Sequence, residues 1–334
     1  SLLKKNKDTD YLHISTRIRC VEGQLMNSTQ LYRLAESKDA QEAEKLLEEK
    51  GWPAFDWRDM LKLEQVISQR RQQMMDLLYV HCPRPEMIEV FRLKYDYHNI
   101  KAILKGDAQQ VDPTRLLSSA GLIPPRELLR MIREGDLEGM DPVMAQAVET
   151  AKEMLERTGD PQLSDMVLDR AEKEETLKKA RESGSDFLTG YVQRTIDCCN
   201  LRTALRLGRM GKGLDYVQRA ILPGGTIAPE AFYAPMTREE LPRLLAGTCL
   251  ETLESQALDA LEGRGFALLD KACDDLLIEY ARFARQVPFG EETVIGYLLA
   301  CEAEYNAVRS VLAGKNAGLS QDKIMERLRI CYAV

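Results

Sequence analysis

Asp96-Tyr97-His98-Asn99-Ile100-Lys101-Ala102-Ile103-Leu104 decides the reading of this chain, because it returns twice. A second copy is Asp197-Cys198-Cys199-Asn200-Leu201-Arg202-Thr203-Ala204-Leu205, and a third, more worn, is Glu304-Tyr305-Asn306-Ala307-Val308-Arg309-Ser310-Val311-Leu312. The shared frame is an acid, two variable residues, Asn or Ala, an aliphatic, a base, two small or aliphatic residues and Leu. The starts lie 101 and 107 residues apart, longer than the roughly 20 to 50 residues of a solenoid repeat and close to the size of a small domain. That spacing predicts three copies of one domain, residues 1–114, 115–218 and 219–334.

Outward from the motif the pattern is helical. Val90, Leu93, Tyr97, Ile100 and Leu104 form one stripe, matched by Tyr191, Arg194, Cys198, Leu201 and Leu205, and by Leu298, Cys301, Tyr305, Val308 and Leu312. Pro85 suits the first position of the first such helix, and Gly106, Gly208 and Gly314 read as stops. A second frame repeats alongside: Gly121-Leu122-Ile123-Pro124-Pro125 matches Gly225-Thr226-Ile227-Ala228-Pro229, with a faint echo around Gly23 and Leu25. Each reads as a turn followed by a helix opened by Pro, and the pair sets the boundaries near 115 and 219. Further helices are expected over Met60–Leu78 and after Asp141-Pro142, Asp160-Pro161 and Ser185-Asp186. No segment alternates β-branched with polar residues, so the fold class expected is all-α.

Composition excludes several roles. The 334 residues are 44% hydrophobic and 30% charged, with a net charge of -7. Nucleic acid and anionic lipid surfaces ask for clustered Lys and Arg, so an acidic chain is not expected to seek either. Eight cysteines without a CxxC pair point to buried thiols in a reducing compartment. No run of about 18 apolar residues predicts a membrane span.

The sequence carries no assembled catalytic or metal-binding signature. His13, His81 and His98 have no zinc spacing, and neither GxxxxGK[ST] nor GxSxG occurs. Gly208 to Gly213 follows a helix instead of opening one, so it reads as a linker and not a phosphate loop. Glu302 with Glu304, and Asp274 with Asp275, read as solvated charge. Asp96 and Lys101 are five apart, so each is expected to reach another helix, and Asn99 and Asn200 fit an interior polar network. Asp96, Asn99, Lys101, Asp197, Asn200, Arg202, Glu304 and Arg309 are thus expected to be architectural. No catalytic residue, cofactor, metal or small-molecule substrate is expected.

A resemblance runs through the whole chain. It is carried by Phe91 to Lys101; by Gly159-Asp160-Pro161-Gln162 with Asp165, Leu168, Asp169 and Arg170; and by Asp197, Asn200, Leu201 and Arg202. In the last third it rests on Pro288-Phe289-Gly290, Ile295 to Leu298, Ala303-Glu304, Arg309, Leu312 to Lys315 and Gly318-Leu319. With these blocks in this order the chain resembles the C subunit of archaeal and bacterial V/A-type rotary ATPases, the counterpart of the d subunit of the eukaryotic vacuolar proton pump. Ala307 departs from the pattern, which has Asn there, so any contact that Asn makes is lost or replaced in the third copy. The resemblance implies three helical domains arranged as a funnel on the cytoplasmic face of the membrane rotor ring, receiving the central shaft and hydrolysing nothing. Shaft subunits and the ring would be its partners. The acidic balance would suit a basic shaft tip. Without the resemblance, a helical-repeat adaptor or scaffold binding an unrelated partner fits the composition equally.

Overall fold

Short polar residues start four of the long helices of this chain, those that begin at Met60, Pro142, Pro161 and Asp186. The side chain of Asp59 accepts hydrogen bonds from the Leu61 and Lys62 amides, Asp141 from Val143, Asp160 from Gln162 and Ser185 from Leu188. Each cap satisfies amides that the first helical turn leaves without a partner. Pro142 and Pro161 take the first helical position of two of these helices, where the missing N–H costs nothing. In the computed structural model, which describes residues 7–333, no strand occurs among the described residues, and the fold is all-α as expected.

The chain folds as two units, one split and one continuous. The split unit takes the described residues up to Pro85 and those from Leu241 on, and the continuous unit takes Glu86–Glu240. The chain begins in the split unit with α1 (Leu12–Val21), α2 (Ser28–Glu36), α3 (Ala40–Glu49) and α4 (Met60–His81). The continuous unit holds α5 (Glu86–Glu89), α6 (Leu93–Gln109), α7 (Pro125–Glu134), α8 (Pro142–Thr158), α9 (Pro161–Glu182), α10 (Asp186–Arg209) and α11 (Leu214–Ala220). From α12 (Glu240–Leu245) the chain returns to the split unit with α13 (Glu254–Leu261), α14 (Ala267–Ala281), α15 (Glu291–Asn316) and α16 (Gln321–Arg327).

Each repeated motif lies on a long helix, α6, α10 or α15, called a strut below. On α15 every residue from Thr293 to Cys301 is buried, and the helix packs against α1, α2, α4, α14 and α16. A helix apolar on all sides belongs at the centre of a core, so the C-terminal strut is enclosed by N-terminal helices. In the continuous unit Tyr97, Ile100 and Leu104 of α6 pack with Leu128 of α7, Val148 of α8 and Leu168 of α9.

The struts differ from expectation in two places. The helix expected to carry the first motif in one piece is broken: α5 ends at Glu89, the Phe91 amide bonds to the Ile88 carbonyl, and α6 starts at Leu93. The break presents Arg92 to the Ala120 and Gly121 carbonyls, 2.9 and 2.6 Å away. Gly106, Gly208 and Gly314 do not stop the struts but lie inside their last turns. A Cβ at Gly106 would stand 2.7 Å from the Val111 carbonyl oxygen, and one at Gly314 would stand 2.8 Å from Ile324, so close packing asks for glycine there; Gly208 is under no such pressure. The left-handed residues just past the three strut ends are Gln110, Gly211 and Gly318.

Candidate functional site

The motif residues converge on one device, a clamp between a strut and a loop. Asp96 on α6 is fully buried, and its two carboxylate oxygens accept the Leu122 and Ile123 amides at 3.0 and 3.1 Å. Three residues along, Asn99 holds both sides of one peptide residue: its amide donates to the Ser118 carbonyl and its oxygen accepts the Ser118 N–H, each at 2.8 Å. The second strut repeats this. Asp197 accepts the Thr226 and Ile227 amides, each at 3.1 Å, together with the Thr226 hydroxyl, and Asn200 brackets Leu222 at 2.9 and 2.8 Å. The loops so held are the two Gly-x-Ile turns of the sequence.

The clamp explains the glycines. A Cβ on Gly121 would collide with Oδ1 of Asp96 and stand 2.9 Å from its Cγ, and one on Gly225 would do the same to Asp197, 3.0 Å from Cγ. Only a bare Cα lets a carboxylate settle onto the following amides.

The third clamp is built differently. Glu304 on α15 accepts the Met26 amide at 2.7 Å, so the strut of the last copy holds the loop that opens the first. Helix starts align Asn27 with Pro124 and Ala228, which places Gln24, and not Gly23, where the other copies have glycine. The echo around Gly23 is therefore out by one residue, and a Cβ on Gly23 would meet nothing within 4 Å. With a Cβ at this place the acid is longer by a methylene and holds one amide instead of two. Ala307, the lost Asn, lies in the register of Val21, which is the last residue of α1 and has helical backbone. The peptide that Asn would bracket is already paired, so its absence leaves nothing exposed to repair.

The bases of the motif also cross to other helices. Lys101 pairs with Asp169 on α9, and Arg309 with Glu64 on α4 at 2.5 and 3.0 Å; Arg202 is half-buried at the same place on α10. Beside the acid, Tyr97 donates to Glu175 of α9 at 2.9 Å. Its counterpart Tyr305 lies under Arg71 of α4, 5.6 Å from guanidinium carbon to ring centroid, while Arg70 stacks on Trp52 at 4.6 Å and stands 4.0 Å from Glu304.

Burial governs the ionisation of these groups. It pushes Asp96 up to about 6, against the pull of the Ile123 and Leu122 amides and of Arg92. It pushes Glu175 up to about 7 against the Tyr97 hydrogen bond, and raises Glu304 despite the Met26 amide and Arg70. Asp96 and Glu304 are occupied as acceptors of backbone amides, and Glu175 as acceptor of the Tyr97 hydroxyl, so the arrangement holds loops and strut in place. Glu302 and Glu304 are not solvated charge as expected: Glu304 is buried, and Glu302 takes a two-point hydrogen bond from Arg71 at 2.7 and 3.1 Å. Asp274 and Asp275 accept Arg329 and the Ile330 amide. His13 and His81, distant in sequence, meet edge to face at 5.0 Å, a pairing no local signal marked. None of the eight cysteines is in a disulfide.

The family model for the ATP synthase (C/AC39) subunit matches residues 14–327. The C subunit of the A-type ATP synthase of Haloferax volcanii is 28% identical over 266 residues, covering 73% of this chain and 74% of that protein. The C subunit of the V-type sodium ATPase of Enterococcus hirae is 22% identical over 80% of this chain and 81% of its own. Its A-type ATP synthase counterpart from Methanocaldococcus jannaschii is 22% identical over 95% of this chain and 86% of its own.

Proposed function

The chain belongs to the ATP synthase C/AC39 subunit family, and from that premise we propose that it is the non-catalytic central-stalk subunit of a V/A-type rotary ATPase. In this role it couples the central shaft of the ATP-hydrolysing sector to the membrane rotor ring, for ATP-driven ion transport or ion-driven ATP synthesis. The single observation that carries the reading is the family match from residue 14 to 327, which runs through both units.

The clamps suit the task. A subunit that transmits torque needs struts that do not slide against their loops, and each acid fixes a strut to backbone amides. The role places the chain peripherally, on the cytoplasmic face of the ring, and no described helix is long and apolar enough to cross a membrane. The three-domain reading with boundaries near 115 and 219, and the funnel it implies, belong to this proposal. They draw support from the third strut, whose acid holds the first loop as the earlier acids hold the second and third. The net charge of -7 favours a basic shaft tip as partner.

Reconstitution tests the proposal. The full chain, mixed with shaft subunits and purified rotor ring of a V/A-type ATPase, is expected to bind both and to restore ion-coupled ATP hydrolysis to a complex lacking it. A folded chain that binds neither overturns the reading.

A further inference from the structure

A cleft of about 440 Å³ opens in the split unit, lined by Lys38 and Asp39 of the α2–α3 turn, Trp57 and Arg58 ahead of α4, and Lys315 and Ile324 from the α15–α16 end. Three of these residues are cations, and none of the three forms an ion pair among the described residues. Lys315 is the most enclosed. Its ammonium donates to the Ala35 and Ser37 carbonyls at 3.3 and 2.6 Å, which occupies two of its three N–H groups. Burial lowers its pKa, and the field of Glu42 opposes this without cancelling it. The Arg58 guanidinium lies 6.0 Å from the Trp57 ring centroid, and the Arg58 and Lys38 side chains are exposed. The Trp57 indole N–H is buried and meets no acceptor among the described residues. Asp39, the one carboxylate of the lining, is engaged in capping α3 through the Glu42 amide at 2.8 Å.

Unpaired cations around a cleft are a standing charge imbalance, and partial burial makes the imbalance costlier. The lining carries Lys38, Arg58 and Lys315 against Asp39, with Glu42 close by, bonded to the Lys38 amide and felt by Lys315. Three separate cationic donor groups around one cleft suit the three terminal oxygens of a phosphate monoester, whereas a carboxylate or a phosphodiester offers two. The cleft is far larger than a phosphate group, and Trp57, Leu319 and Ile324 give its wall an apolar part that an organic body can cover. We propose that this cleft binds a phosphate monoester, its dianion among Lys38, Arg58 and Lys315 and its organic portion against Trp57.

Two probes present that chemistry from different sources: glycerol 3-phosphate in solution, and vesicles of phosphatidylcholine carrying phosphatidic acid. Calorimetry with the first and co-flotation with the second, on the full chain at low ionic strength, are expected to give saturable binding to at least one. Saturation by the soluble ester identifies a free metabolite as the source, and binding confined to vesicles identifies a lipid headgroup. Removing two exposed charges in the double variant K38Q/R58Q should weaken binding by at least about tenfold, each charge-assisted hydrogen bond being worth roughly a factor of ten or more. K315M should act in the same direction, with circular dichroism confirming that both variants fold. The proposal is overturned if neither probe binds, if the double variant binds as tightly as the parent, or if acetate binds as well as the ester.

Discussion

The seam between α6 and α9 and the seam between α15 and α4 are built on one frame with opposite charge at its centre. On the first, Lys101 meets Asp169; on the second, Arg309 meets Glu64. Six residues beyond these two acids stand Glu175 and Arg70, each beside the buried acid and tyrosine of its strut. One seam therefore places a carboxyl near Asp96, and burial raises both groups; the other sets a guanidinium against Glu304. The strut's position is what the fold requires. The charge that accompanies it is settled locally, by whichever hydrogen bonds and counter-charges are within reach.

The contrast breaks most sharply at the glycines. G121A and G225A force a methyl group against the carboxylate of Asp96 or Asp197 and should each cost about 3 kcal/mol, read as a lowered urea midpoint. G23A, at the echo in the first copy, meets open space and should shift the midpoint by no more than about 0.5 kcal/mol. Equal losses at all three would put Gly23, and not Gln24, at the glycine position of the first loop. The amide position comes next. N200A leaves a buried peptide N–H and C=O unpaired and should cost about 2 kcal/mol, and N99A, whose peptide at Ser118 is part-buried, about 1 kcal/mol. A307N should gain nothing measurable, because the matching peptide is already helical.

The charge contrast is sharpened by pH. Burial lifts Glu175 from the ordinary value of 4.5 to about 7, so the folded protein keeps a proton that the unfolded chain has released. The stability this proton brings is whole below about pH 4.5 and is lost as pH rises through about 7. E175Q keeps an acceptor for the Tyr97 hydroxyl without the charge. It should match the parent at about pH 4 and exceed it by about 1 to 2 kcal/mol at about pH 8, in unfolding curves taken at both. A variant that tracks the parent at both pH values would show that Glu175 is not held protonated. The smallest effects belong to the outer pairs. K101A and R309A break partly exposed bridges and should each cost about 0.5 kcal/mol or less, shrinking further in salt.

Much of this was legible in residues. Periodicity placed most of each strut. Asp141-Pro142, Asp160-Pro161 and Ser185 marked the starts of α8, α9 and α10, whereas Pro85 stands ahead of α5 and not of a strut. The Asp-x-x-Asn frame picked out residues that lie in the two intact clamps. What escaped depended on contacts across the fold. Gly106 and Gly314 near helix ends look like stops, and only the approach of Val111 and Ile324 shows that they are packing glycines. Gln110 stops α6 in a left-handed conformation that Gln gives no reason to expect. The partner loop of Glu304 lies 278 residues away, so a one-residue slip in the first copy left no local trace. His13 with His81, and Arg70 with Glu304, likewise join helices that nothing in their own segments connects.

The enclosure of α15 by N-terminal helices has a consequence for biosynthesis. Glu86–Glu240 is contiguous and can assemble while the rest of the chain is still being made. Helices α1 to α4 emerge earlier yet lack their central partner until α15 has left the ribosome. Their apolar faces must wait through the synthesis of the whole middle unit, and closing so long a loop slows the final step. A nascent chain arrested before Glu291 should therefore recruit chaperones through its N-terminal segment, while its middle already resists proteolysis.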